Sequence, residues 1–440
     1  MPSENLWFNT LYIIFWFGNS KLFITLIFVY ERMPIDTGDT TWMLISTGLV
    51  MLMTPALGFF EAGLIRGKNS LSAIMQTFSG LAILSVLWFI LGFTLVFAPS
   101  QGGFIGGLNW VFFNGVPFND SVDYAPTIPG VTFGSYQMMF AVITPLLITG
   151  AFAERMKWSS FFVFIIAWSI LIYYPLAHWI WGRGWLADLG VFDFAGGIVI
   201  HTSAGMASLA AAVVLGRRKN FGPDIMVPHN IPLAVIGATL LWIGWFGFNA
   251  GSALASGSLA ANTLLVTHIA SATSALMWIL LSWKRAGKPS TTAAINGAIS
   301  GLAGVTPAAG FISAQNSFFL GIILGFASYY AIILLKERLK IDDALDVSSV
   351  HGVTGIVGSL AIGIIASTVI NPAGPEGLLY GNPMQLAIQA MGVAVAAVLG
   401  FVGTLVIMKI INATIGLKVE DEEEDIGLDI TQHAERAYVD

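Results

Sequence analysis

The chain has 440 residues, of which 56% are hydrophobic and only 10% charged, with a net charge of −6 and a mean hydropathy of +0.79. An ordinary soluble domain carries about 25% charged residues, so the composition excludes a water-solvated globule and makes the bilayer the solvent. Cysteine is absent, which excludes a disulfide framework, a thiolate metal site and a cysteine nucleophile, and leaves the redox compartment unreadable.

Residues 1–38 form a hydrophobic leader in which Leu6 to Tyr30 is apolar but broken by Asn9, Asn19 and Lys21. Three readings compete for it: an extra helix that starts in the cytoplasm, translation upstream of a true start at Met33, or a signal peptide. The last lacks a basic n-region and a small-x-small cleavage site. Hydropathy then places apolar spans at 41–63, 73–97, 134–153, 158–179, 194–215, 231–253, 261–283, 292–313, 316–335, 350–370 and 384–412. Each is near the roughly 20 residues that cross hydrocarbon as a helix. The expectation is an all-α integral membrane domain over 39–415 with eleven transmembrane helices, followed by a charged tail over 416–440. Forty-eight glycines and seventeen prolines fit close helix packing in lipid.

Basic residues cluster in alternate loops: Arg66 and Lys68, Arg155 and Lys157, Arg217 to Lys219, Lys284 to Lys288, and Lys336 to Lys340. Arg183 is the exception in the opposite set. The positive-inside rule makes the basic loops cytoplasmic, so the first of the eleven spans starts outside and the tail lies inside.

An internal repeat emerges from two histidines. Asp193 precedes His201 by eight residues and Gly205 follows it by four; Asp343, His351 and Gly355 repeat that spacing 150 residues later. Phe60-Glu61-Ala62-Gly63 is echoed by Phe248-Asn249-Ala250-Gly251 in the sixth span. Spans one to five and six to ten are then two copies. Since each has an odd number of spans, the second sits inverted, the 5+5 arrangement that places a site at the repeat interface, with the eleventh helix outside it.

An intramembrane imidazole faces a partner or a cavity by default. Two neutral rings meeting edge to edge share one proton, hydrogen-bond a passing polar molecule and relay a proton. The bland alternative is a pair of buried histidines that only pack helices. Near them, Trp245, Phe248, Asn249 and Ser252 fall on one helix face, and Tyr136 and Phe140 on another. Such stripes are more often core than site. Trp181 stands at the outer interface, where tryptophan is usually a belt anchor. Asp193 either caps the fifth span through the helix dipole or acts on a cation at a distance; both roles are compatible.

The run Asp193 to Leu209, Asp-Phe-Ala-Gly-Gly-Ile-Val-Ile-His-Thr-Ser-Ala-Gly-Met-Ala-Ser-Leu, resembles the signature of the ammonium transporter/methylammonium permease/Rhesus superfamily, specifically its ammonium transporter branch. Gly150 to Arg155, Trp245 to Ser252, His351 to Gly358 and Gly427 to Tyr438 extend the resemblance over about residues 40 to 440. It implies an outer ammonium recruitment site made by Trp181, Phe140 and Ser252, shaped by Asp193; a gate of Phe140 on Phe248; and a pore lined by His201 and His351. Tyr136, Trp245, Asn249 and Asp343 are expected to support these groups. Two departures stand out: Tyr136, where phenylalanine is frequent, and Glu61, where tyrosine is common.

The resemblance further implies a homotrimer in the plasma membrane that conducts ammonium or ammonia, with methylammonium as analogue. Its tail docks under neighbouring subunits, and its cytoplasmic loops are open to a PII-type signalling protein. No cofactor, no metal and no nucleic acid are expected, and no nucleophile–base pair or phosphate loop points to an enzyme. Whether the proton follows the ammonia through the pore or returns outside stays open at this level. So do the rival readings of an ammonium sensor with little flux and a Rhesus-type gas channel. His178, His229, His268 and His433 read as structural.

Overall fold

The computed structural model describes residues 7–18, 21–219, 221–222 and 227–438, with side chains from Met33 onward. In chain order its long helices are α1 (Thr37–Leu64), α2 (Gly67–Phe97), α3 (Gly130–Phe152), α4 (Trp158–Asp188), α5 (Gly197–Leu215), α6 (Ile231–Gly251), α7 (Ser258–Ala286), α8 (Thr291–Val305), α9 (Ala314–Arg338), α10 (Ser348–Ile365) and α11 (Met384–Thr414). All of these except α8 are long and apolar enough to cross a membrane, so the chain is multi-pass with ten such helices among the described residues.

Helix α8 departs from expectation. Hydropathy ran this span to 313, but the helix stops at Val305, because Pro307 has no N–H to donate and its ring clashes with a preceding carbonyl. At 1.5 Å per residue it is about 22 Å long, short of the roughly 30 Å hydrocarbon core. Conversely, α1 begins four residues before the hydropathic span, since Asp36 Oδ1 accepts the Asp39 N–H at 2.8 Å and caps the first turn.

The leader does not form the extra helix that was one of its three readings. It is a two-stranded antiparallel ribbon, β1 (Trp7–Gly18) paired with β2 (Lys21–Arg32), Trp7 opposite Arg32 and Gly18 opposite Lys21. Both strands are rich in aromatic and β-branched residues, which favour extended backbone. The rest of that leader reading, residues 1–6 and 19–20, lies outside the described residues.

The two copies of the repeat meet along helix pairs that require small residues. Helix α6 lies on α1 so closely that a Cβ at Gly237 would sit 2.3 Å from the Phe60 nitrogen. Helices α5 and α10 each open with a π-helical turn, Gly197–Thr202 and Ser348–Val353, and each turn holds one of the two histidines. Such turns are frequent at functional sites. Gly205 of α5 approaches Gly352 of α10, while Gly355 of α10 approaches His201 of α5. The two helices therefore run antiparallel past each other, as inverted copies require.

The five basic loops gather at one end of the bundle. Arg66 and Arg218 both reach Glu154, Arg218 also pairs with Asp342, Arg217 donates to the Lys340 carbonyl, and Arg285 meets Glu337. The tail folds back onto this basic end. Lys157 donates its N–H to the Leu417 carbonyl at 2.9 Å, and Val419 donates to the Arg155 carbonyl at 3.0 Å. Two short helices follow, α12 (Asp421–Ile426) and α13 (Leu428–His433). The acidic run is not simply solvated: Glu424 is buried and accepts the Lys219 N–H at 2.6 Å, and Asp429 accepts the N–H groups of Leu71 and Ser72 near the start of α2. The tail thus docks on its own chain.

Candidate functional site

At the end opposite the basic loops, a cavity of about 510 Å³ is lined by Phe133, Gln137, Phe140, Trp181, Phe194 and Ser252, among others. The Trp181 ring stands edge-on to Phe140, with centroids 6.1 Å apart and planes at 84°. What holds Trp181 is a hydrogen bond from its Nε1 to the main-chain carbonyl of Asp193 at 2.9 Å. Ser252 lies just past the end of α6, its hydroxyl within 2.9 Å of the Phe248 carbonyl and 3.3 Å of the Tyr136 hydroxyl. Three groups from α3, α4 and α6 therefore converge on one apolar-walled cavity with a few polar atoms.

The carboxylate of Asp193 does not line this cavity. Its Oδ1 accepts from Gly196 and Gly197 at 2.8 and 2.7 Å, and its Oδ2 from Ile198 and Val199 at 2.7 and 2.9 Å. Those are the donors that a helix N-terminus leaves without intrahelical partners. Of the two roles the sequence allowed, capping is the one the geometry displays. Asp343, its counterpart in the repeat, accepts only from Ser348 N at 2.7 Å and leaves Oδ1 without a hydrogen-bond partner among the described residues. The repeat is symmetric in spacing and unequal in bonding.

Below the cavity Phe140 packs on Phe248, centroids 4.4 Å apart and planes tilted by 38°. Both rings are essentially buried, so they close the cavity floor. Phe248 in turn stacks toward His201, 6.0 Å away at 27°. His201 and His351 follow, with Nδ1 to Nδ1 at 3.2 Å and planes at 22°. Like atoms face each other, so one Nδ1 carries the proton and the other accepts it. The rings must then be opposite tautomers, one presenting an Nε2 lone pair and the other an Nε2–H. His201 Nε2 is buried and has no hydrogen-bond partner among the described residues.

Trp245 lies nearly parallel to both histidines, 5.5 Å from His201 at 24° and 6.5 Å from His351 at 10°. Its Nε1 donates to Thr306 Oγ1 at 2.9 Å, and Thr306 donates to the Leu302 carbonyl at 2.7 Å. Tyr136, fully buried, places its hydroxyl on the Gly247 and Phe248 carbonyls at 2.9 and 2.8 Å, which holds the last turn of α6. Asn249 turns away from the histidines toward Thr267 of α7 at 3.0 Å. The structure therefore brings together Trp181, Phe140, Phe248, His201, His351, Trp245 and Ser252, while Tyr136, Asn249, Asp193 and Asp343 stand behind them.

Several supports carried no legible sequence signal. Thr306 is one, because a threonine at the end of a short span resembles any other. Gly205 and Gly352 are another: a Cβ on Gly205 would lie 2.1 Å from Gly352 Cα, so the absence of side chains is what lets α5 and α10 bring the histidines together. The buried group at the basic end is a third. Burial alone would raise the Glu154 carboxyl, but Arg218 and Arg66 outweigh it and hold it below the usual carboxylate range. Asp342 is likewise raised by burial and pulled lower by Arg218 and Arg155. A cavity of about 800 Å³ opens beside them, lined by Leu64, Ile65, Arg66, Glu154, Arg218 and Ala344, among others.

The model of the Ammonium Transporter Family matches residues 41–438. Ammonium transporter 1 of Dictyostelium discoideum is 54% identical over 407 residues, 92% of this chain and 88% of that relative. The crystal structure of Saccharomyces cerevisiae Mep2 superimposes with a TM-score of 0.83 at 31% identity, covering 88% of this chain and 91% of that one. A structure titled Sensor Amt Protein does so with a TM-score of 0.83 at 29% identity, covering 90% of this chain and 98% of that one. The chain belongs to the ammonium transporter family.

Proposed function

We propose that the chain recruits ammonium in the cavity beside Trp181, removes its proton and conducts ammonia past His201 and His351, the proton following through the histidine pair. The observation that supports this best is the unbroken line Trp181, Phe140, Phe248, His201, His351. An indole face attracts a cation by roughly 0.5 to 2 kcal/mol, and the Ser252 oxygen accepts an N–H that potassium lacks. The stacked phenylalanines then exclude the charge: an isolated cation in low dielectric costs tens of kcal/mol in the idealised limit, whereas ammonia loses only a few hydrogen bonds. Opposite tautomers offer ammonia one Nε2 lone pair and one Nε2–H, matching its own donor and acceptor.

In the same reading the chain crosses the plasma membrane eleven times, the short α8 counted as one crossing, with its cavity-bearing end outside and its basic end and tail inside. It assembles as a homotrimer, with its cytoplasmic loops open to a PII-type protein, and uses no cofactor. Substituting His201→Ala should abolish or derange selective conduction while leaving the oligomer intact. Methylammonium uptake into proteoliposomes measures this; normal uptake with unchanged potassium exclusion overturns the pore assignment. The likeness to a sensor protein favours one second reading, binding with little flux, and uptake by the wild type no greater than in empty vesicles would sink the transporter reading. A Rhesus-type gas channel would transport yet give no ammonium-evoked current on a solid-supported membrane.

A further inference from the structure

Arg183 is the exception among the sparsely charged loops opposite the basic end, and it stands two residues from Trp181. The helical turns of α4 stop at Ile180 and resume at Trp185, and Arg183 occupies the break, between Gly182 and Gly184. Its φ is +60°, in the left-handed region that glycine enters without strain and a residue with a Cβ does not. An arginine held there, with a glycine on either side, points to a role for its side chain.

That side chain is tied down in the outer cavity. Its Cζ lies over the Tyr124 ring, 4.7 Å from the centroid, and its Nη2 donates to the Asp123 main-chain carbonyl at 2.9 Å. Tyr124 is fixed in turn by stacking on Phe133, 5.7 Å away with planes at 2°. Phe133, Tyr124, Trp181 and Arg183 all line the cavity of about 510 Å³.

Among the described residues that line it, Arg183 and Asp123 carry charge. The guanidinium bonds the main chain of Asp123 rather than its carboxylate, so the two charges do not cancel at contact. Burial pushes the Tyr124 hydroxyl up, and of the two charges Arg183, which pulls it down, outweighs Asp123, which pushes it up. Tyrosine and tryptophan faces draw cations by the same quadrupole attraction. Next to Trp181, the Tyr124 face is therefore covered by a cation of the protein's own.

We propose that Arg183 sets the affinity and selectivity of the outer mouth: it holds the Tyr124 face and repels incoming cations, leaving Trp181 and Ser252 as the place where ammonium binds. It touches no reacting atom. A π face attracts potassium as it attracts ammonium, whereas the Ser252 oxygen accepts an N–H that only ammonium has. Covering the Tyr124 face removes a position that would not tell the two apart. The proposal rests on the recruitment of ammonium beside Trp181.

The test measures the concentration dependence of methylammonium uptake into proteoliposomes for wild type, Arg183→Gln and Arg183→Lys. The glutamine variant should lower the half-saturating concentration about threefold at low ionic strength, the scale on which one exposed unit charge acts across a wet cavity. That difference should shrink in about 0.15 M N-methyl-D-glucamine chloride, where the Debye length is about 8 Å. Added potassium should slow uptake more in Arg183→Gln than in wild type, and Arg183→Lys, which keeps the charge, should stay near wild type. An unchanged or raised half-saturation in Arg183→Gln, equal potassium inhibition, or a shift in Arg183→Lys as large as in the glutamine variant overturns the proposal; the side chain is then only a strap between two loops. Should Arg183→Gln fail to assemble, Asp123→Asn decides: removing the opposing charge should raise the half-saturation, and an unchanged value overturns the proposal. Trp181→Ala in the same assay separates two failures. If it raises the half-saturation while Arg183→Gln leaves it unchanged, the proposal alone falls; if it changes nothing, the recruitment reading falls and the proposal with it.

Discussion

Replacing Gly205 with alanine tests whether helix approach, rather than the identity of the rings, sets the histidine pair. The new methyl would start 2.1 Å from Gly352 Cα, whereas ordinary contact begins at 3.4 Å, so α5 and α10 must part by the difference. The neighbour in the way is main chain and cannot rotate aside. Overpacking of this kind costs about 1–3 kcal/mol, so the protein still folds. The Nδ1 atoms start at 3.2 Å, and the same displacement along their line takes them beyond hydrogen-bond reach. The opposite-tautomer coupling is then lost although both rings remain. Methylammonium uptake and ammonium-evoked current in proteoliposomes should both fall at least tenfold, with the oligomer intact by size-exclusion chromatography. Wild-type flux in Gly205→Ala, with a structure showing the two Nδ1 atoms still within hydrogen-bond distance, would refute the reasoning.

Two further outcomes follow from other parts of the molecule. Trp181→Ala removes the indole face from the cavity, and losing about 0.5–2 kcal/mol of cation attraction raises the half-saturating ammonium concentration roughly 2- to 30-fold; an unchanged half-saturation in current recordings speaks against a recruitment role. At the basic end, Glu154 and Asp342 sit below their ordinary values of 4.5 and 3.8, so the folded state binds fewer protons than the unfolded one in acid. Their stabilisation is complete above those values and is lost as pH falls through the depressed folded ones. Thermal melting in detergent should therefore decline steeply below about pH 4, and a midpoint that stays level from neutrality to about pH 3 contradicts the network's contribution.

Much of the architecture was legible along the chain because the bilayer imposes a one-dimensional rule: apolar stretches of fixed length, punctuated by basic loops, announce helices wherever they occur. The 150-residue offset between His201 and His351 was equally linear, and the shared Asp and Gly positions around each tied the two helices to one repeat. The failures had local causes. Pro307 ended α8 inside an apolar run, and the aromatic and β-branched leader paired with itself as a ribbon, which hydropathy does not distinguish from a helix. The side-chain roles were less legible. Asp193 carried two readings until its four N–H donors appeared, and Asn249, on the right helical face, turned out to bond to α7.

By itself, then, the sequence determined the solvent, the helices, the repeat and the family, because each depends on residue type and spacing along one chain. Tertiary structure alone decided how the histidines face each other, since that depends on two glycines, Gly205 and Gly352, 147 residues apart, meeting backbone to backbone. It also decided the surroundings of Glu61. In the sequence that residue is an acidic departure near the end of α1. In the fold it is 2% exposed and hydrogen-bonded to Thr149 of the neighbouring segment. Which atoms meet is decided only in the packed bundle.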